Sequence, residues 1–214
     1  MMRGAGALAG VVLLLTAAGA SAAQDAAASS VPPGATANAV WVPKDLAFTY
    51  MGFTTHYSCD GIQDKVASVL KSLGAQKGYK VTVSGCVNMT GPEIMPRVRV
   101  RAALPREATP EVLAELAKAA AAAGGQKGEA GSAAREPAKP FAASWRTVQF
   151  KGTNLEDVQS GDCELMEQLV REVLVPLGAR EAEGSRTNCV PHQLSLDAVR
   201  VTLLVLAPAK GAAH

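Results

Sequence analysis

Four cysteines, at positions 59, 86, 163 and 189, and two histidines beside them, His56 and His192, are the residues best equipped for thiol or metal chemistry. His56 stands three residues before Cys59 and His192 three after Cys189, which invites a mixed cysteine/histidine metal site. A cysteine just inside a helix N-terminus also has its thiol pKa depressed, which would make Cys59 or Cys163 a redox or nucleophilic centre. The positions matching the two histidines in the other half of the chain are Ser160 and Met89, so neither pair is repeated, and a metal would need reduced thiols in an oxidising compartment. No C-x-x-C occurs anywhere, which removes the thioredoxin-type redox motif and the haem-attachment motif together. Disulfides are the expected use of four cysteines in an exported chain.

Other candidates carry less. Met89 and Met95 flank Gly91-Pro92, and soft sulfur can hold copper(I), but two loop methionines are more often packing side chains. Arg97, Arg99 and Arg101 alternate along one stretch and therefore project from one face of a strand, where they would suit an anionic partner such as a phosphate-bearing envelope polymer. The bland alternative is a solvated strand face, and the matching stretch offers only Arg200. No G-x-S-x-G, H-E-x-x-H, S-x-x-K, phosphate loop or G-x-G-x-x-G is present, and nothing asks for a cofactor. Asp60 with Asp64, and Glu164 with Glu167, read as cap and surface acids on helices.

The elements that position these residues come from an internal similarity. CDGIQDKVASVLKSLGA begins at Cys59 and CELMEQLVREVLVPLGA at Cys163. Aligned on the cysteines, Ile62, Val66, Val69, Leu70 and Leu73 fall on Met166, Val170, Val173, Leu174 and Leu177, the three-and-four spacing of one apolar helix face. Ser58 and Asp162 are matching N-cap types, and Asp60 and Glu164 place an acid in each first turn. Gly74 and Gly178 stand where a left-handed residue ends a helix. Strands are expected ahead of each helix, around Leu46 to Met51 and Thr147 to Lys151. Others follow it, in YKVTVSGCV and GSRTNCVP and then in RVRVRAALP and AVRVTLLVLAP. Of the last two, the very apolar Val199 to Leu206 suits a central place and the arginine-alternating strand a half-exposed one.

The expected fold is therefore α+β, a tandem duplication of a β-α-β-β unit with one disulfide inside each copy. A helix of about fifteen residues rises about 22 Å and a returning strand of about seven spans about 23 Å, so the strand ends beside the helix start. That geometry pairs Cys59 with Cys86 and Cys163 with Cys189.

The organisation follows. Residues 1–23 read as a secretory signal peptide, with Arg3, an apolar run centred on Val11 to Leu15 and small residues before Gln24. Residues 24–40 read as a disordered segment, 41–105 as the first unit, 106–140 as a helix from Thr109 plus a flexible linker, 141–208 as the second unit and 209–214 as a disordered tail containing His214. Loss of Arg3 with the signal takes the formal net charge from +2 to +1, which gives no electrostatic reason for a nucleic-acid partner. No later stretch is apolar enough to cross a membrane. The functional expectation is an exported, periplasmic or secreted bacterial protein without catalysis, which binds or assembles with an envelope protein or an anionic envelope polymer. The alternative is a thiol-redox or metal-handling protein using the helix-start cysteines or His56 and His192.

Overall fold

A fourteen-residue strand, β1 (Thr36–Thr49), organises the molecule by pairing on both sides. Its first residues, Thr36 to Ala39, lie antiparallel to Ser144 to Phe141 of β6 (Phe141–Lys151), and Ala39 to Thr49 lie antiparallel to Glu107 to Arg97 of β5 (Arg97–Glu107). With β2 (Lys80–Ser84), β7 (Arg180–Glu181), β8 (Arg186–Thr187) and β9 (Val199–Pro208), they form one seven-stranded antiparallel sheet in the order β2-β5-β1-β6-β9-β7, β8 also pairing with β9. The ribbon of β3 (Val87–Asn88) and β4 (Gly91–Pro92) is separate. In this computed structural model residues 32–88, 91–92, 95–124, 139–151, 158–194 and 199–209 are described. The stretch expected to be a signal peptide, Met89, most of the expected linker and His214 fall outside them, and all the described residues belong to one unit, Val31–His214.

Two boundaries differ from the sequence expectation. The strand ahead of the first helix begins at Thr36, inside the segment expected to be disordered. TANAV has little β propensity of its own, but pairing with both β5 and β6 leaves Ala39 and Val40 fully buried. Likewise β6 starts at Phe141 and not near Thr147.

Helix α1 (Cys59–Ser72) forms as its spacing requires: the Ser58 side chain accepts from the Gly61 N–H, and Gly74 adopts φ +77° just past the end. Helix α2 (Pro110–Gly124) starts behind Thr109, whose Oγ1 accepts from Val112. The second half is less regular. A 3-10 turn (Ser160–Asp162) leads into α3 (Cys163–Leu169), a π segment (Val170–Leu174) and α4 (Val175–Leu177), which ends on Gly178 at φ +114°. Pro176 explains the π segment. It has no N–H to give, and its ring clashes with the carbonyl four residues back, so the coil widens and the Val175 N–H donates to the Val170 carbonyl, five residues back.

The apolar faces of α1 and of the α3–π–α4 run join one core with the inward positions Val98, Val100, Ala102 and Leu104 of β5 and Val199, Val201, Leu203 and Val205 of β9. At about 25 cal/mol per Å² of apolar area, this continuous cluster is the main source of stability. The disulfides join Cys59 to Cys86 and Cys163 to Cys189, each returning the chain to a helix start, and among the described residues no cysteine is free. Two disulfides are compatible with an exported protein. Among the described residues no helix is long and apolar enough to cross a membrane.

Candidate functional site

The alternating arginines occupy the sheet face opposite the core. Register carries the rest: Arg97, Arg99 and Arg101 of β5 stand beside Ser84, Thr82 and Lys80 of β2 and beside Thr49, Ala47 and Asp45 of β1. All nine are exposed, while the residues between them on β5, Val98 and Val100, are fully buried. Four cations and one acid thus share a flat patch on which alternate residues of a strand stand about 7 Å apart. The acid is central. Arg99 Nε and Nη2 donate to Asp45 Oδ1 and Oδ2 at 2.7 Å each, and Arg101 Nε donates to Oδ2 at 2.9 Å. The Arg99 hydrogen bonds hold the Asp45 carboxyl down to about 2. Asp45 therefore fixes two guanidinium groups against the sheet, while Arg97 and Lys80 have no acid partner among the described residues.

A second polar constellation is invisible in the sequence. Glu164, aligned with the exposed Asp60, is buried: its Oε2 accepts from the backbone N–H groups of Phe53 at 2.8 Å and Thr54 at 3.0 Å, and its Oε1 from Thr54 Oγ1 at 3.1 Å. Asp162 is buried too and is not the side-chain cap its position predicts. Its carboxylate accepts from Tyr57 Oη, from Lys65 Nζ at 2.7 Å and from the Gln159 N–H at 2.7 Å. Gln168 closes the set, donating to the Met51 carbonyl at 2.8 Å and accepting from the Met51 N–H at 3.0 Å. The start of α3 thus grips the loop between β1 and α1. Burial, then the bond to Asp162, pushes the Tyr57 hydroxyl well above the ordinary tyrosine range, and burial with the nearby Glu164 and Asp162 charges does the same to Tyr50. Neither hydroxyl ionises at neutral pH, so this network is a clasp with its acceptors already engaged.

No family model matches the chain, and no curated protein matches it. A solved structure that it resembles is an uncharacterized conserved protein from Listeria innocua, at 12% identity over 82% of this chain and 92% of that one, with a TM-score of 0.16. That score carries no argument about fold or role.

Neither histidine ring bonds to the buried acids of the clasp. His56 is exposed. His192, also exposed, has φ +63°; its backbone N–H donates to Thr54 Oγ1 at 3.0 Å and its ring stands edge-on to Phe53. Among the described residues no group of three or more His, Cys, Asp or Glu side chains is placed to hold a metal, and Met95 is an exposed residue beside β5. Both helix-start sulfurs are in disulfides, so neither is available as a thiolate.

A third feature is a groove of about 300 Å³ between the π segment and the β7–β8–β9 edge. Val170 and Val201 form its buried floor, and Glu167, Arg171, Glu181 and Arg186 stand at its exposed rim. The sequence signal for it is Pro176, since the widened coil lines the groove.

Proposed function

We propose that this is an exported, periplasmic, non-catalytic protein that holds an anionic polymer of the cell envelope on the open face of β2, β5 and β1. One observation carries the reading: Lys80, Arg97, Arg99 and Arg101 share an exposed sheet face with, among the described residues, a single acid, Asp45, which orients two of the guanidinium groups. A row of cations about 7 Å apart along one strand, flanked by the Thr82, Ser84 and Thr49 hydroxyls on its neighbours, matches a flexible chain of repeating phosphate or carboxylate groups. In the same reading, the chain arose by tandem duplication of a β-α-β-β unit and only the first copy kept the basic stripe. The lack of catalysis is supported by the buried acids, whose acceptor capacity is taken up by Tyr57, Lys65, Thr54 and backbone N–H groups.

The test is retention on an immobilised polyphosphate matrix under a salt gradient, comparing wild-type protein with an Arg97→Ala/Arg99→Ala/Arg101→Ala variant. Wild-type protein is expected to bind at low salt and the variant to pass through, because screening weakens exposed charge contacts. Equal elution of the two would remove the basic face from the function.

A further inference from the structure

Seven large apolar side chains stand exposed among the described residues, and five of them, Met51, Phe53, Met95, Val190 and Leu194, each 46–69% exposed, gather at one end of the molecule. Backbone and ring contacts place them together. The Tyr50 N–H donates to the Pro96 carbonyl at 2.9 Å, so the pairing of β1 with β5 carries one step past Thr49 and Arg97. Tyr50 and Pro96 are buried while Met51 and Met95 are exposed, so the alternation carries on as well, and the two methionines follow Thr49 and Arg97 on the open face. On the adjoining loops the Phe53 ring meets His192 edge-on, and the His192 N–H donates to Thr54 Oγ1. Leu194 Cδ2 and Thr55 Oγ1 lie 3.5 Å and 2.8 Å from where a Cβ on Gly161 would stand, and Val190 shares the turn, its carbonyl accepting from the Gln193 N–H. Exposed apolar side chains scattered singly need no explanation, but five on neighbouring loops do.

We propose that this end of the molecule docks on the surface of an anionic phospholipid bilayer. Apolar side chains on loops with a cation beside them suit such a surface, because acyl chains take the apolar groups and headgroup phosphates take the cation. The cation is Arg97. It stands two residues from Met95 on the same face and has no acid partner among the described residues, whereas Arg99 and Arg101 are held by Asp45. The acids at the helix starts do not oppose a headgroup there: Asp162 and Glu164 are buried with their oxygens engaged, and exposed Asp60 lies on α1, on the core side of the sheet. Depth orders the stripe. The headgroup layer is roughly 5–8 Å deep, and alternate strand residues are about 7 Å apart. With Met95 at the acyl boundary and the strand upright, Arg97 falls in the headgroup layer and Arg101, about 20 Å out, beyond it. This membrane contact goes beyond the polymer face and shares with it only Arg97.

The experiment is co-sedimentation of the protein, purified after export, with vesicles of phosphatidylcholine alone and with vesicles in which about one lipid in three is phosphatidylglycerol. Wild-type protein is expected to bind the anionic vesicles about fivefold more tightly than the neutral ones. Arg97→Ala should remove most of that difference, and Arg101→Ala should change binding less than about twofold. Phe53→Ser/Leu194→Ser should weaken vesicle binding at least about tenfold, and should still elute from polyphosphate like wild type, which shows that it is folded. Loss of polyphosphate retention with vesicle binding intact sinks the polymer reading and leaves this one standing. Should the double serine variant misfold, Phe53→Trp keeps an aromatic ring at the tip. Its emission is expected to be quenched by anionic vesicles with brominated acyl chains, beyond any quenching of Trp41 and Trp145 in wild type. Absence of wild-type pelleting, equal binding to the two vesicle types, equal binding of wild type and the double serine variant, equal losses from Arg97→Ala and Arg101→Ala, no added quenching in Phe53→Trp, or self-association without vesicles that the double serine variant abolishes would overturn the proposal.

Discussion

Helix α1 and the α3–π–α4 run carry the same apolar face at the same spacing, yet they do different work. The first is a continuous α-helix with an ordinary serine cap and an exposed acid, Asp60, in its first turn. The second replaces the cap with a buried Asp162, turns the aligned acid Glu164 inward, and is widened ahead of Pro176. The apolar pattern decides which side of a helix is buried. The few polar and proline positions decide what the helix then does: α1 completes its own half, whereas the other run holds the loop of the first half and leaves a groove beside itself.

The sharpest contrast to break is in the return limbs. After α1 the chain comes back through five-residue β2, fully paired with β5; after α4 it comes back through only Arg180–Glu181 and Arg186–Thr187. The disulfides close loops of similar size, with sequence separations of 27 and 26, so the loop-entropy model assigns each about 3–4 kcal/mol. Replacing Cys163 and Cys189 by serine is nonetheless expected to cost more than replacing Cys59 and Cys86, because less sheet remains to hold the limb. Denaturant unfolding of the two double variants measures the difference, and a reversed order would mean that β7 and β8 matter more than their length implies.

The two helix starts come next. Glu164→Ala strands two backbone N–H groups and one hydroxyl and is expected to cost about 3 kcal/mol, against less than about 0.5 kcal/mol for the aligned Asp60→Ala on the surface. Tyr57→Phe adds a pH signature. The Tyr57 hydroxyl titrates higher in the folded than in the unfolded chain, so its contribution is whole below about pH 10 and is lost as pH rises beyond that. Thermal unfolding between pH 9 and 11 should fall less steeply for Tyr57→Phe than for wild type. Equal slopes would place the alkaline loss elsewhere.

The clasp also marks where sequence reading stops. The apolar helix faces, the Ser58 cap, the closing glycines and the inward valines of β5 and β9 are legible because they follow from local pattern. Asp162 reads as an N-cap and Glu164 as a first-turn acid because nothing local distinguishes an acid facing water or its own helix from one facing another segment's N–H groups, about 110 residues away for Glu164 and Thr54. The opening of β1 reads as disordered for the same reason: its partners, Phe141 to Ser144 and Glu107, are remote in sequence. The exposed arginine stripe is visible from alternation, but Asp45, which organises it, stands just ahead of the expected first strand, where no local pattern links it to the arginines.

The grooves offer a smaller effect. Tyr79→Ala is expected to cost about 2 kcal/mol, through lost packing of a half-buried ring and its bond to the Ala67 carbonyl, and to open beside α1 a space like the one beside the π segment. Pro176→Ser installs the residue type found at the aligned Ser72. It restores an N–H and lifts the clash, so the coil should tighten and the groove narrow, with little change in stability because the proline's restriction of the unfolded chain is lost as well. Amide exchange at residues 174–176 of the variant reports it. Protection of the new serine's N–H means the α register has returned, and rapid exchange there means that packing holds the π segment open without the proline.

The smallest effect lies on the basic face, and its direction with pH is fixed. Asp45 sits about two-fifths exposed between Arg99 and Arg101, so solvent screening keeps its net worth below about 1 kcal/mol despite the bidentate geometry. Its folded-state pKa, about 2, lies below the ordinary 3.8, so whatever stability it provides is present above about pH 4 and disappears as pH falls toward 2. Asp45→Asn should therefore be slightly less stable than wild type at pH 7, with the difference closing as pH falls through 2. On the polymer face the same change should act oppositely: it removes the only acid there among the described residues and raises retention on polyphosphate, unless the orientation that Asp45 imposes on Arg99 and Arg101 outweighs its charge. Stronger retention means the face works as a field of positive charge; weaker retention means it works as a shaped array, with Asp45 part of the site.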